Sequence, residues 1–251
     1  FKLHCAPHGN FSHNPEPLPQ HLTELSALTR TSKADVGFAV DPDVDRLAIY
    51  CENGKPFGEE YTLVSISDYV LQHTPGNTVS NLSSTRALRD VTTKRGGNYY
   101  AAAVGEVNVV SKMKEVDAII GGEGNGGVIY PESHYGRDAL VGIALFLSQM
   151  AKSGKKPTEL RADYPTYFMA KQKIELTPEM NIDEILDKVK EEYIDQNPID
   201  IDGVKIDFPN KWVHLRKSNT EPIIRIYSEA NSQEEAEETG KHFIDLIKEL
   251  A

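Results

Sequence analysis

Residues 36–51 read VGFAVDPDVDRLAIYC and combine two apolar runs of strand length with a polar loop between them. Short runs rich in branched and aromatic side chains are typical of buried strands. Up to about residue 155, similar runs alternate with stretches in which apolar residues recur at helical spacing. This alternation predicts an α/β architecture for the first part of the chain.

The predicted elements of this α/β part follow one another closely. Helices are predicted at 59–72, 84–94, 107–114 and 138–150, and further strands at 78–82, 99–104, 118–121 and 127–130. A linker is predicted at 152–165, because residues 153–157 read SGKKP, a run of small, charged and helix-breaking residues.

The pattern changes after this linker. Strands are predicted at 166–174, 199–208, 212–215 and 223–227, and helices at 181–193 and 233–250. Their order, β-α-β-β-β-α, predicts a separate α+β domain at the C-terminal end.

Composition limits the kinds of partner. The chain has 251 residues, of which 26% are charged, and a formal net charge of -11. A negative mean field repels nucleic acid and anionic membranes, so neither is expected as a partner. Two cysteines are too few for a disulfide framework, and the apolar runs are too short to cross a membrane. The sequence therefore predicts a soluble, cytoplasmic protein, a monomer or homodimer, that holds any anionic ligand with local donors.

The loop at residues 41–46, DPDVDR, places the carboxylates of Asp41, Asp43 and Asp45 at alternate positions. Like charges about 4 Å apart repel by about 1 kcal/mol in water and about 4 kcal/mol at an effective dielectric of 20, so a cation is expected among them. Carboxylate oxygens favour Mg²⁺ or Ca²⁺, but an EF-hand is excluded because Arg46 stands where that loop needs glycine. Arg46 beside a metal suggests a bound phosphate. A solvated acidic turn is the alternative.

A second loop, residues 121–127, reads GGEGNGG and matches the pattern G-x-G-x-x-G from Gly122. Its context argues against a dinucleotide site, because an extended run follows where a helix would begin, and because Glu123 would repel a pyrophosphate. Glu123 and Asn125 suit sugar hydroxyls instead, on a backbone that permits close approach. A plain turn between two strands is the alternative.

A third loop, residues 216–222, reads RKSNTEP and precedes the strand that carries Arg225. Its basic, hydroxyl and amide groups form a compact donor set for a phosphate dianion, with Arg216, Ser218, Asn219, Thr220 and Arg225 as the candidates. Each charge-assisted hydrogen bond contributes roughly 1.5–3 kcal/mol, and arginine offers a bidentate fork. An ordinary polar turn is the alternative.

In their order along the chain and in their residues, the three loops resemble those of the α-D-phosphohexomutases. This is the superfamily of phosphoglucomutase, phosphomannomutase and phosphoglucosamine mutase. DPDVDR resembles the metal loop D-P-D-x-D-R, GEGNGG the sugar-recognition loop G-E-x-S-G-H, and RKSNTEP the phosphate loop R-x-S-N-T-E-P. Three matches in the right order are more specific than any one of them. The resemblance implies α/β/α organisation with a mixed sheet: the end of domain 2 at 1–54, domain 3 at 55–156 and an α+β domain 4 at 157–251.

The resemblance also implies a reaction. A phosphoserine donates its phosphoryl group to a hexose phosphate, the hexose 1,6-bisphosphate turns over, and the serine is rephosphorylated from the other end. Mg²⁺ held by the three aspartates, with Arg46 as the catalytic residue beside it, would stabilise the transferring group. Glu123 and Asn125 would bind the sugar, and the third loop would grip the phosphate that does not react.

The nucleophile of this reaction is expected outside the chain. Residues 12–15 read SHNP, part of the family's T-A-S-H-N-P serine loop, but they fit better the F-x-x-H-x-P-x-P segment of domain 2. The resemblance therefore implies a fragment without the phosphoserine domain, inactive by itself, which begins at Phe1. A catalytically silent sugar-phosphate-binding module and a nucleotide-binding oxidoreductase are the alternatives.

Two positions depart from the family pattern. Gly127 stands where many relatives have histidine. Residues 104–106, Val-Gly-Glu, stand near the place where bacterial phosphomannomutases have a lysine and a histidine, and Glu106 replaces one of these two by position only. Downstream, His134, Arg137 and Asp138 are candidates to support the second loop, and Asp138 also to cap a helix. The choice among glucose, mannose and glucosamine phosphates stays open, with a slight preference for phosphoglucosamine or for combined phosphoglucose and phosphomannose use.

Overall fold

The two apolar runs at 36–51 form an antiparallel hairpin in the computed structural model, which describes residues 1–176, 180–218 and 221–250. The strands are β1 (Val36–Val40) and β2 (Leu47–Cys51), and a helix not predicted from the sequence, α1 (Thr23–Thr31), precedes them. The chain divides into two compact units, Phe1–Pro165 (unit 1) and Thr166–Ala251 (unit 2).

Unit 1 continues as an alternation of helices and strands, as predicted. Its further elements are α2 (Glu59–His73), β3 (Asn77–Asn81), α3 (Ala87–Lys94), β4 (Tyr99–Ala102), α4 (Glu106–Glu115), β5 (Ala118–Glu123), β6 (Gly127–Ile129), α5 (Ala139–Ser153) and α6 (Pro157–Ala162). The strand order is β4-β3-β5-β6. Strand β3 runs parallel to β4 and β5, and β6 is antiparallel to β5, so the expected mixed sheet is confirmed.

Helix α2 is the centre of unit 1. Its residues from Tyr61 to Leu71 are all buried, and it packs against α3, α5, β2 and β5. Full burial of one large aliphatic side chain contributes about 1.5–3 kcal/mol, so this helix is a main source of stability. Helix α5 packs the β1–β2 hairpin against the core around α2. The ring centre of Phe146 lies 5.2 Å from that of Phe57 and 6.2 Å from that of Phe38 in β1, both in edge-on contacts.

The predicted linker at 152–165 contains a helix, α6, and packs with unit 1. Gly154 ends α5 in the left-handed conformation, and Pro157 stands in the first turn of α6, where its fixed φ suits a helix start. The backbone N–H of Lys156 donates to Glu159 Oε2 at 2.8 Å, and the Arg161 guanidinium lies 3.3 Å from the centre of the Tyr61 ring. Residues 157–165 thus lie in unit 1, although the sequence assigned them to the C-terminal domain; the three-domain division itself stays a proposal.

Unit 2 has the predicted order β-α-β-β-β-α. Its elements are β7 (Phe168–Glu175), α7 (Ile182–Glu192), β8 (Val204–Asp207), β9 (Trp212–Lys217), β10 (Ile223–Ala230) and α8 (Gln233–Leu250). The sheet is antiparallel, in the order β7-β10-β9-β8. The two helices and one face of this sheet bury a common core, whose members include Ile185, Val189, Leu215, Ile224, Phe243 and Ile247.

The strand predicted at 199–208 is shorter than expected. The chain turns at Asp202-Gly203, so that Ile199 and Lys205 face each other and exchange two backbone hydrogen bonds of 2.8 Å. An Asp-Gly pair favours such a turn, and the strand starts only after it, at Val204.

Polar groups lie buried on the other face of the unit 2 sheet. Trp212, the single tryptophan of the chain, is fully buried, and its indole N–H donates to Glu229 Oε1 at 2.7 Å. The Lys205 ammonium lies 4.1 Å from the centre of the indole ring. These polar groups are therefore partnered, as burial requires.

Across the residues that the structure describes, no helix has the length and continuous apolarity needed to cross a membrane.

Candidate functional site

Parallel strands β3, β4 and β5 end at the same edge of the unit 1 sheet, the edge at which α/β sheets bind ligands. Glu123 ends β5 there and is only 5% exposed. Its Oε1 accepts hydrogen bonds from Asn81 Nδ2 at 2.8 Å and from the Gly105 N–H at 3.1 Å. Asn81 ends β3 and Gly105 follows β4, so all three strand ends hold this carboxylate.

The second loop is the tip of the β5–β6 hairpin, in which Glu123 pairs with Gly127. Asn125 is half-buried, and its Oδ1 accepts from the Gly127 N–H at 3.2 Å. Gly126 has a φ of +89°, and a Cβ there would lie 2.4 Å from the carbonyl oxygen of Leu47, so this position requires glycine. A strand follows the loop where a dinucleotide fingerprint needs a helix, as the sequence predicted.

The aspartate loop lies directly beside this hairpin. Arg46 and Gly127 form an antiparallel bridge, and the Leu47 N–H donates to the Gly126 carbonyl at 3.1 Å. At the other end of the loop, the Val44 carbonyl accepts from the Ala139 N–H at 3.0 Å, at the start of α5. Val44 has a φ of +59°, a strained conformation for a β-branched residue, which these contacts maintain.

Asp41 organises the aspartate loop from within. It is 2% exposed, and its Oδ1 accepts from the backbone N–H groups of Asp45 at 3.1 Å and Arg46 at 3.0 Å. Its Oδ2 accepts from Arg46 Nε at 2.6 Å. Burial by itself would raise the pKa of Asp41, but the hydrogen bonds from Arg46 and Asp45 outweigh burial and lower it. This carboxylate is therefore charged at neutral pH.

The three aspartates fit a divalent cation. One carboxylate oxygen from each of Asp41, Asp43 and Asp45 lies within 4.8 Å of the others. Burial raises the pKa of Asp45 to about 6, Arg137 opposes this rise, and the nearby Asp41 and Asp43 add to it. Oxygen donors at this spacing suit Mg²⁺, which would relieve the repulsion among them.

Arg137 connects the aspartate loop to the second loop. Its guanidinium pairs with Asp45, with Glu123 at 2.8 Å and with Glu106 at 3.0 Å, and its side chain is 17% exposed. The sequence identified Arg137 only as a candidate support of the second loop, and Glu106 only by position. Asn81 was not predicted as a site residue, although it lies near the end of the strand predicted at 78–82.

The third loop lies in unit 2, between β9 and β10. Arg216 and Arg225 stand directly opposite each other on these strands, which places two cations side by side. Arg216 Nε lies 2.8 Å from Asp202 Oδ2, and Arg225 pairs with Glu221 at 2.8 Å. Like charges at opposed positions destabilise a sheet, so these two carboxylates offset the repulsion.

The predicted residues are thus divided between the units. Unit 1 brings together the aspartate loop, Arg46, Glu123 and Asn125, whereas unit 2 carries Arg216, Arg225 and Ser218, which is buried. Asn219 and Thr220, two predicted phosphate ligands, lie outside the described residues.

Ser12, whose surroundings match the family's serine loop only in part, is exposed in an irregular segment. Beyond it, Glu16 reaches Arg46, with Oε1 3.7 Å from Arg46 Nη1. The segment thus contacts the aspartate loop through Glu16.

Three family models match successive parts of the chain. Residues 1–54 match phosphoglucomutase/phosphomannomutase alpha/beta/alpha domain II, residues 58–167 match alpha/beta/alpha domain III, and residues 171–246 match the C-terminal domain of the same family.

Individual proteins agree with these matches. A phosphoglucomutase/phosphomannomutase of Thermococcus kodakarensis is 36% identical over 98% of this chain and 55% of its own length. A probable phosphoglucosamine mutase of Methanopyrus kandleri is 32% identical over 99% of this chain and 56% of its own length. The crystal structure of a phosphoglucomutase/phosphomannomutase family protein of Burkholderia thailandensis superposes with a TM-score of 0.81 at 24% identity, over 95% of this chain and 52% of that one. The chain therefore spans about half the length of the curated relatives it matches.

Proposed function

Because the chain belongs to the phosphoglucomutase/phosphomannomutase family, we propose that it provides the metal, sugar and phosphate loops of a phosphohexomutase. The reaction is the reversible conversion of a hexose 6-phosphate to a hexose 1-phosphate through a phosphoserine and a hexose 1,6-bisphosphate. The observation that supports this most is the joining of the aspartate loop to the glycine-rich hairpin by the Arg46–Gly127 bridge and by Arg137.

In this proposal, Asp41, Asp43 and Asp45 hold Mg²⁺, which when bound neutralises charge on the phosphoryl group. Arg46 adds a guanidinium at the same place, oriented by its hydrogen bond to Asp41. The phosphorylated serine lies outside these 251 residues, since Ser12 belongs to an exposed segment that resembles a different part of the family.

Glu123 and Asn125 bind hydroxyl groups of the sugar. Glu123 already accepts three hydrogen bonds, but a carboxylate has about four acceptor sites, so its Oε2 can accept one more. The donors around it fix the carboxylate before the sugar arrives, which lowers the entropic cost of binding.

Arg216, Ser218, Asn219, Thr220 and Arg225 grip the phosphate that does not react. The opposed pair of Arg216 and Arg225 supports this role, because two guanidinium groups on neighbouring strands offer a phosphate dianion two adjacent charged donors. A phosphate is nearly symmetric, so the same group of donors accepts the bisphosphate intermediate in either orientation. Binding energy from the distant phosphate then positions the reacting end.

Calorimetric titration of the 251-residue chain tests the proposal. The ligands are glucose 6-phosphate, mannose 6-phosphate and glucosamine 6-phosphate, each in magnesium and in chelator. We expect binding of at least one of them without turnover, and Arg216→Ala to weaken that binding about tenfold to a hundredfold. The control is Lys188→Ala, which removes the same charge from the surface of α7. Absence of binding to all three sugar phosphates in magnesium would contradict the proposal.

A further inference from the structure

Arg137 directs each nitrogen of its guanidinium at a carboxylate from a different segment. Nη2 pairs with Asp45 Oδ2, Nε lies 3.0 Å from Glu106 Oε2, and Nη1 lies 2.8 Å from Glu123 Oε2. The backbone of Arg137 is fixed too, because its N–H donates to Glu106 Oε1 at 3.3 Å and the residue bridges to Ile129. A planar fork held by three partners has little freedom to move.

Gly127 makes this placement possible. A Cβ at Gly127 would lie 2.4 Å from Cδ of Arg137 and 3.2 Å from its Cγ. The Arg137 side chain therefore passes over the backbone of β6 at the one residue of the strand that lacks a side chain. The histidine that many relatives carry at this position would collide with it.

We propose that Arg137 is a positioning residue for the metal site: by holding Asp45 Oδ2, it presents Asp45 Oδ1 to the divalent cation. The inference rests on the proposed function, in which Asp45 is one of the three metal ligands. Carboxylates that bind a metal are themselves held by hydrogen bonds from a surrounding layer of residues, and loss of one such partner typically weakens metal binding about 10- to 100-fold.

Electrostatic repulsion is the competing effect, because a guanidinium close to a cation opposes its binding. Here the charge of Arg137 is offset by three carboxylates, so the group as a whole remains anionic. We expect the loss of orientation to outweigh the relief of repulsion when Arg137 is removed. The two effects predict opposite signs, and the affinity for the metal alone distinguishes them.

The experiment is a titration of the 251-residue chain with Mn²⁺. Calorimetry measures the binding, and electron paramagnetic resonance measures the ion that stays free. Two variants separate charge from position. Arg137→Gln removes the charge, whereas Gly127→Ala keeps the charge and displaces the side chain; the φ of Gly127 is not positive, so alanine suits the backbone. Arg95→Gln is the matched control, since Arg95 pairs with Asp68 at 2.6 Å elsewhere in unit 1.

We expect both variants to raise the Kd for Mn²⁺ about 10- to 100-fold and the control to leave it unchanged. Equal or tighter binding by both variants would overturn the positioning role while leaving the metal site in place. Failure of the unaltered chain to bind Mn²⁺ would instead contradict the proposed metal site, and this inference with it. If Arg137→Gln does not fold, Gly127→Ala decides between the outcomes, because it keeps every charged group.

Discussion

Asp43 is the exposed one of the three aspartates, whereas Asp41 and Asp45 also hold the loop in shape. Asp43→Asn removes a charged ligand without disturbing those contacts. We expect the affinity for Mg²⁺ to fall about tenfold or more at unchanged thermal stability, measured by calorimetry and by a circular dichroism melt. Asp35→Asn, at an exposed site on the same unit, is the control; full metal affinity in Asp43→Asn would remove this residue from the site.

His214 makes the stability of unit 2 depend on pH. It is 1% exposed, its Nε2 donates to the Asp202 carbonyl at 2.7 Å, and burial lowers its pKa from 6.5 to about 4. The unfolded chain therefore binds more protons between these two values, so unfolding becomes easier as pH falls through this window. We expect the free energy of unfolding to fall by about 3 kcal/mol as the pH is lowered from above 6.5 to below about 4.

Urea titrations across this pH range measure the effect. His214→Gln keeps a donor for the Asp202 carbonyl but cannot titrate, so this variant should lose the pH dependence. His242→Gln, at an exposed position of α8, should retain it. An unaltered slope in His214→Gln would assign the pH dependence to other groups.

The clustering of the three aspartates could be predicted because alternate positions in one short loop stay together in any fold. Arg137 could not be placed in the same way. It reaches Asp45 only because β6 pairs with β5 and bridges to Arg46, and sequence spacing does not encode these contacts. The sequence shows glycine at position 127, where many relatives have histidine. The reason for this glycine is seen only in the structure, where the Arg137 side chain passes over it.

The start of helix α5 depends on its cap residue, Asp138. Asp138 Oδ1 accepts from the N–H groups of Leu140 at 2.8 Å and Val141 at 3.0 Å, and Asp138 Oδ2 lies 2.9 Å from His134 Nε2. The predicted N-cap is thus confirmed. It also fixes the start of α5 at the point where Ala139 holds the aspartate loop through Val44.

Removal of this cap should destabilise unit 1. We expect Asp138→Ala to lower the free energy of unfolding by about 1 kcal/mol and the melting temperature by about 2–4 °C. Circular dichroism melts measure the change, and Asp35→Ala, exposed and outside any helix, should stay within about 0.5 kcal/mol of the unaltered chain. An equal effect of both substitutions would show that general charge, rather than the cap, is responsible.

Most elements could be predicted from the period of their apolar residues, and the exceptions have local causes. Helix α1 lacks a capping side chain at its start, so nothing marked its beginning. Helix α6 is short and begins at a proline, a residue that is also typical of linkers. Both segments take their helical form from packing against the rest of unit 1, and a single sequence does not reveal this packing.

Unit 2 has a core of its own between one sheet face and two helices. We therefore expect residues 166–251 to fold by themselves and to unfold cooperatively. Expression of this segment alone, with heteronuclear NMR and thermal unfolding, checks this. The pH dependence assigned to His214 should persist in the isolated segment; collapsed, poorly dispersed spectra would show that unit 2 needs the rest of the chain.

The buried Trp212 gives unit 2 an optical label that unit 1 lacks. Because the chain has one tryptophan, its emission comes from unit 2 alone, quenched or shifted by the carboxylate and ammonium groups beside the ring. Fluorescence therefore follows unit 2 alone, whereas far-ultraviolet dichroism recorded on the same sample follows the helices and strands of both units. A divalent cation that binds unit 1 should protect the part of the dichroism signal that unit 1 contributes while leaving the emission trace as it was, so the two units can be told apart in the full chain without isotopes or dyes.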